Sequence, residues 1–206
     1  GGIRADYNNL YGWFATPRLN LRYEPVAGTT IRASAGRGQR TANIFAENMG
    51  ALVSARTVSI ITGTNGKAYG LNPEVSWNKG ISVDQQFTLF TREAMLSVDF
   101  FRNDFTNQVV ADMEDPRLLK FYNLTGKSYS NSFQSELSMV PVEKFDLRLA
   151  YRWFDVKTTY GNTLLQKPLT AEHRAFANLA YTLKGWKFDY TVNYVGPKRI
   201  PSTVAN

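Results

Sequence analysis

Between Pro17 and Arg40 the chain reads PRLNLRYEPVAGTTIRASAGRGQR, and apolar and polar side chains take turns along both halves of it. Leu19, Leu21 and Tyr23 alternate with Arg18, Asn20 and Arg22. After a break at Pro25 and Gly28, Ile31, Ala33 and Ala35 alternate with Arg32, Ser34 and Gly36. A period of two marks a β-strand, whose successive side chains point to opposite faces. The Pro and Gly in the link predict a hairpin.

The same alternation returns along the chain. Val75, Trp77, Ile81, Val83, Phe87 and Leu89 oppose Ser76, Asn78, Ser82, Asp84, Gln86 and Thr88. Leu96, Val98 and Phe100 oppose Ser97 and Asp99. Phe133, Leu137 and Met139 oppose Gln134, Glu136 and Ser138. Phe145, Leu147, Leu149, Tyr151 and Trp153 oppose Asp146, Arg148, Ala150 and Arg152. Two further runs, 173–183 and 186–194, alternate around the two-residue turn Lys184-Gly185. The pattern predicts roughly eight or nine strands, many of about ten residues or more. A transmembrane barrel strand needs about 9–11, whereas strands of soluble proteins run about 5–6.

The links are uneven. Short ones fall near 24–28, 91–93, 141–144 and 184–185, and long ones near 41–72, 113–125 and 158–171. Tight periplasmic turns and long extracellular loops give a membrane barrel this rhythm. Aromatic residues collect at strand ends: Trp13, Phe14, Tyr23, Trp77, Phe87, Phe90, Phe145, Trp153, Tyr181 and Trp186. Such rings favour the lipid–water boundary. The fold class expected is all-β: part of an antiparallel transmembrane β-barrel, with one strand face on lipid and the other on a lumen. Arg22, Arg32, Asp84, Asp99, Glu136, Arg148, Arg152 and Asp189 all fall on the lumenal set. An Arg or Lys on the lipid face at the midplane would cost about 2–4 kcal/mol.

Composition narrows the function. The 206 residues are 43% hydrophobic and 14% aromatic, carry a net charge of +7 and include no cysteine. Disulfides and thiolate metal sites are excluded. Lys and Arg are scattered singly, which argues against nucleic acid as a partner. The basic balance leaves anionic lipid or an anionic ligand as partners. The N-terminus GGIRADYNNL has neither a basic n-region nor an apolar h-region, so a signal peptide is either removed or the chain is a piece of a longer one.

Several stretches together resemble TonB-dependent outer-membrane receptors of the Bacteroidetes type. They are TPRLNLRYEP, TTIRASAGRGQRTAN, GLNPEVSWNKGIS, DFFRNDFTNQVVADME, FYNLTGKSYSNSFQSEL, LQKPLTAEHRAFANLAY and YVGPKRIP. They cover nearly the whole chain, in the order of the C-terminal half of such receptors. The resemblance implies a barrel of about 22 strands, an N-terminal plug domain inside it, and a TonB box pulled from the inner membrane. It implies import of a scarce nutrient such as a ferric siderophore, haem, cobalamin or glycan across the bacterial outer membrane, with lipid and lipopolysaccharide around the wall. Residues 1–206 then form a portion of the barrel domain, without plug or TonB box. A passive porin-like or structural barrel is the alternative.

The candidate site lies in the longest link, 41–72. ANIFAENMGAL predicts a short helix and VSII a loop strand. The segment either closes over a ligand or packs on its neighbours or lipopolysaccharide. In the family, loops here contribute to ligand capture, which makes Arg40, Asn43, Phe45, Glu47, Asn48 and Arg56 the candidate ligand-binding residues. GRGQR, residues 36–40, either meets an anionic group of the cargo or lines the wall against plug carboxylates. No catalytic set is expected. His173 is the single histidine and no G-x-S-x-G elbow occurs, so it reads as a rim residue where a strand begins. The carboxylates of DMEDPR, residues 112–117, lack calcium-loop spacing and read as a solvated loop tip. NLT, residues 123–125, fits a glycosylation pattern that has no meaning in a bacterial outer membrane. No metal or cofactor is implied.

Overall fold

In the computed structural model, residues 1–62, 68–89 and 91–202 are described. The elements in chain order are β1 (Gly2–Asn8), β2 (Gly12–Tyr23), β3 (Thr29–Arg40), α1 (Ile44–Glu47), α2 (Met49–Leu52), β4 (Thr57–Ile60) and β5 (Glu74–Leu89). There follow β6 (Arg92–Asn107), β7 (Val109–Asp112), β8 (Leu118–Asn123), β9 (Ser128–Val142), β10 (Phe145–Tyr160), β11 (Thr163–Gln166), β12 (His173–Leu183) and β13 (Trp186–Val195). A large sheet runs β1-β2-β3-β5-β6-β9-β10-β12-β13, and β11 adds to the end of β10. Every pairing along this path is antiparallel. It is a partial transmembrane barrel, and β1 and β13 stand at its two edges.

Nine strands lie on the path, at the upper end of the expected number. The added one is β1, where Ile3, Ala5 and Tyr7 alternate with Arg4, Asp6 and Asn8 over a run too short to stand out beside the longer ones. Its register with β2 runs from Gly2 opposite Arg18 to Asn8 opposite Gly12.

One end of the wall carries tight turns at 24–28, 143–144 and 184–185 and the short step from β5 to β6 at Thr91; Phe90, counted with the girdle aromatics, lies outside the described residues. Lys184 (φ 45) and Gly185 (φ 85) both have positive φ, as a type I′ turn requires. The other end carries the links 41–73, 108–127 and 161–172 together with the short β1–β2 turn. The expected asymmetry holds for all but that first turn.

Register shows how the outer face is layered. Ala33, Ile81, Phe100, Phe133 and Trp153 pair in one cross-strand row. Two residues nearer the loop end, Ala35, Lys79, Arg102, Asn131 and Asp155 pair in the next. The outer face therefore changes from apolar to charged within one step of the pleat. On β10 the apolar stretch from Phe145 to Trp153 covers about 27 Å of strand, or about 20 Å of depth at a tilt near 40°. That approaches the height of a barrel's lipid band, about 25 Å. The long strands β5, β6, β9 and β10 then continue beyond the hydrocarbon.

Two expectations change. Charged residues are not confined to the lumenal face: Lys79, Arg102, Asp104, Asp155 and Lys157 point outward. They sit above the belt, and Asp104 and Asp155 pair with Lys79, Arg102 and Lys157. Trp77 stands opposite Arg37 and Asp104 in this polar zone, and Phe14 falls on the lumenal face by its pairing with Asp6. Lumenal charges also pair: Arg32 with Asp84, and Arg148 with Glu136 at 2.7 Å.

Gly80 is required by close approach. It faces the lumen opposite Phe101, and a Cβ there would lie 2.2 Å from the Phe101 ring. The ring covers the glycine and shields its backbone, a known remedy for glycine in a strand.

Candidate functional site

At the loop end the long links fold together as a cap. β4 pairs in parallel with β8, and β8 pairs antiparallel with β7, which makes a separate three-stranded sheet. Ile44, Leu71, Leu119 and Phe121 form its core, each at most 2% exposed, with Leu52, Ile60, Val109 and Met113 packed around them. Among the described residues this is the one closed hydrophobic cluster. The wall has none, because its apolar side chains face outward.

The helix starts where the sequence allows it. Asn43 caps α1: its side chain accepts the Ala46 N–H at 3.2 Å, and Glu47 accepts the Asn43 N–H at 3.0 Å. One turn of helix is too short to hold itself, and burial of Ile44 fixes it.

Arg40 ends β3 and ties this corner to the wall. Its Nε donates to Glu74 Oε2 at 2.6 Å, and its two terminal nitrogens donate to Glu47 at 3.0 and 2.7 Å. Glu74 is buried and also accepts the Val109 N–H at 3.2 Å. Burial pulls the Glu47 carboxyl up, yet the Arg40 hydrogen bonds, the Asn43 N–H and the Arg40 charge together leave it below the usual carboxylate range. Asn48 donates to the Ile44 carbonyl at 2.8 Å.

Phe45 packs edge-on against Tyr69, with ring centroids 5.5 Å apart, and both rings are exposed. Tyr69 holds φ at 56°, an unusual value for a bulky residue. Of the six candidate residues, Arg40, Asn43, Phe45, Glu47 and Asn48 thus gather at one corner of the cap. Arg56 lies apart, its Nε 3.5 Å from the Asp115 carbonyl. Arg40, Asn43, Glu47 and Asn48 spend their polar groups within the chain. Phe45 and Tyr69 form the outer surface.

The carboxylates of residues 112–117 are not a solvated tip. Asp112 is buried and accepts the Tyr122 hydroxyl at 2.8 Å. Burial, with that bond to Asp112, pushes the Tyr122 phenol well above its ordinary value. Glu114 takes Arg199 in a bidentate pair at 2.7 and 3.0 Å and also accepts the Ser202 N–H. Arg199 donates as well to the Gln166 carbonyl at 2.6 Å and lies over the Tyr160 ring. The Arg199 hydrogen bond and charge hold Glu114 below the usual carboxylate range, against the opposing pull of burial. This latch joins links that lie 85 positions apart in sequence.

His173 begins β12, and its Nδ1 lies 2.8 Å from the Tyr151 hydroxyl on the outer face. No group of three potential metal ligands occurs among the described residues.

A family model described as TonB dependent receptor-like, beta-barrel, matches residues 1–206. The chain belongs to that family. Its members are receptors of the outer membrane, so the loop end is the extracellular end and the turn end the periplasmic one. Among solved structures, the ferric enterobactin receptor PfeA is similar at a TM-score of 0.65 and 14% identity, with 94% of this chain and 30% of that one covered. The siderophore receptor PirA from Pseudomonas aeruginosa gives 0.65 and 15%, with coverage of 94% and 36%. PirA from Acinetobacter baumannii gives 0.63 and 15%, with 92% and 30% covered. Identity this low speaks for the fold alone. The chain spans about a third of these relatives' length. Comparison with curated protein sequences finds no match.

Sequence reasoning missed Tyr69, Glu74, Glu114 and Arg199. Pro73, just before Glu74, marks the end of the long link. Nothing local signals the pairing of Glu114 with Arg199.

Proposed function

We propose that this chain forms part of the wall and extracellular cap of a TonB-energised receptor that imports a scarce nutrient: a ferric siderophore, haem, cobalamin or a glycan. The match of the whole chain to the receptor barrel family carries this reading. In it, the plug and the TonB box lie outside these residues, and the plug rests against the lumenal face that carries Arg22, Arg32, Asp84, Glu136, Arg148 and Asp189. Outer-membrane lipid and lipopolysaccharide surround the belt and the charged row above it.

The six residues of the cap take the role of ligand capture at its Phe45–Tyr69 corner. Phe45 offers an apolar contact, while Arg40, Asn43, Glu47 and Asn48 fix the corner that presents it, and Arg56 holds the neighbouring link. The test is uptake by cells that carry the intact receptor, with candidate nutrients supplied at limiting concentration. Import that stops when TonB is deleted, and weakens on Phe45→Ala, supports the reading. Import that continues without TonB, with ion conductance in planar bilayers, would instead establish the passive barrel.

A further inference from the structure

On the lumenal face, Arg152 of β10 stands directly opposite Arg174 of β12. Like charges facing each other across a pair of strands repel and destabilise the pairing. Neither guanidinium forms an ion pair among the described residues. Arg152 Nε is buried and has no hydrogen-bond partner, and its guanidinium lies 4.6 Å from the centre of the Phe154 ring. Neither Glu172 nor Asp99 neutralises the pair. Glu172 accepts the Trp153 indole N–H at 2.9 Å. Asp99 lies beyond Gln134 in the same row, two strands and about 10 Å from Arg152.

Two concavities share this pair. One of about 220 Å³ is lined by Phe154, Thr170 and both arginines. Its neighbour, about 240 Å³, is lined by Gln134, Phe176 and the same two arginines. The two guanidiniums thus stand between two adjoining concavities, with Phe154 on one side and Gln134 and Phe176 on the other. Guanidinium forks match the planar oxygens of a carboxylate in a bidentate way, and the phenyl rings suit an apolar body behind it.

We infer that Arg152 and Arg174 form a seat for a carboxylate on the lumenal wall, with Gln134 as an accessory donor and Phe154 and Phe176 as its sides. The carboxylate has two sources: an anionic group on incoming cargo, or an acidic side chain of the receptor's own plug. The seat is a property of this wall whether or not TonB drives the receptor, so its failure leaves the transport reading untouched.

The test uses the intact receptor, wild type and the double variant R152Q/R174Q, with benzoate as probe and uncharged benzamide as control. Saturable binding of benzoate but not benzamide, weakened at least tenfold in the double variant, assigns the seat to a free carboxylate ligand. No benzoate binding, with a lower melting temperature for the double variant that R152K/R174K restores, assigns it to a carboxylate of the receptor itself. Equal benzoate binding in both proteins overturns the proposal. So does absent binding with a melting temperature that is unchanged, raised by relief of the repulsion, or lowered without rescue by lysine.

Discussion

The wall and the cap are built from one chain by opposite rules. In the wall the apolar side chains face outward, and Trp186, Phe188 and Tyr190 on β13 remain 73%, 57% and 64% exposed. Backbone ladders hold its strands, and hydrocarbon takes the place of a core. In the cap Leu119 and Phe121 are 0% exposed, and the apolar side chains turn toward one another as in a water-soluble domain. A residue's apolar character therefore says nothing about burial until its distance from the charged row at Lys79, Arg102, Asn131 and Asp155 is known.

Substitutions should separate the two rules. Phe121→Ala empties the centre of the cap and is expected to cost about 3–5 kcal/mol locally. Proteolysis or hydrogen exchange of the intact receptor should show loosening in 41–73 and 108–127 while the wall strands stay protected. An equal loss of protection in β9 and β10 would mean that cap and wall are one unit. Next in size is Leu149→Arg, a charge placed in the lipid belt, expected to cost about 2–4 kcal/mol of folding stability in bilayers. The same change at Ala150, one position on, points to the lumen and should cost far less.

Much of the wall could be read in the sequence because it is local. Period-two runs such as 145–153 name their own faces, and Lys184-Gly185 names its own turn. β1 escaped because its alternation, Ile3, Ala5 and Tyr7 against Arg4, Asp6 and Asn8, lasts only six residues and is short beside the runs of ten or more. The charged outer row escaped because Lys79 and Arg102 interrupt the apolar series of their strands singly, and only register shows that they line up in one row above the belt. The cap was legible only in pieces. ANIFAENMGAL and VSII indicated short elements, but the parallel pairing of β4 with β8 joins residues about sixty positions apart across two wall strands. Likewise the six candidate residues could be placed on one link and its rim, whereas the partners Tyr69, near the far end of the link, and Glu74, the first residue of β5, gave no local signal.

Smaller effects sharpen the comparison. Gly80→Val forces the Phe101 ring off the lumenal wall, an overpacking cost of about 1–3 kcal/mol, read as a lower melting temperature. A substitution of the same kind at Gly50, where nothing lies within 4 Å of the added carbon, should leave it unchanged. The Glu114–Arg199 latch, less than a quarter exposed, is expected to contribute about 1–2 kcal/mol to cap stability. Its folded carboxyl titrates below the ordinary value of 4.5. The contribution is therefore complete above that pH and fades as pH falls through the lowered value. Glu114→Gln should weaken the cap at pH 7 and flatten this acid dependence, as followed by hydrogen exchange of 108–127.

The most direct measurement follows spin labels placed singly from Phe145 to Lys157 in the intact receptor in lipid, with other cysteines removed. Oxygen access should peak at Leu147, Leu149 and Tyr151. Access to a water-soluble nickel chelate should peak at Arg148 and Ala150, and then also at the outward Asp155 and Lys157. Uniform access along β10, or an oxygen maximum that persists through Asp155, would contradict a wall with lipid on one face and a charged margin above it.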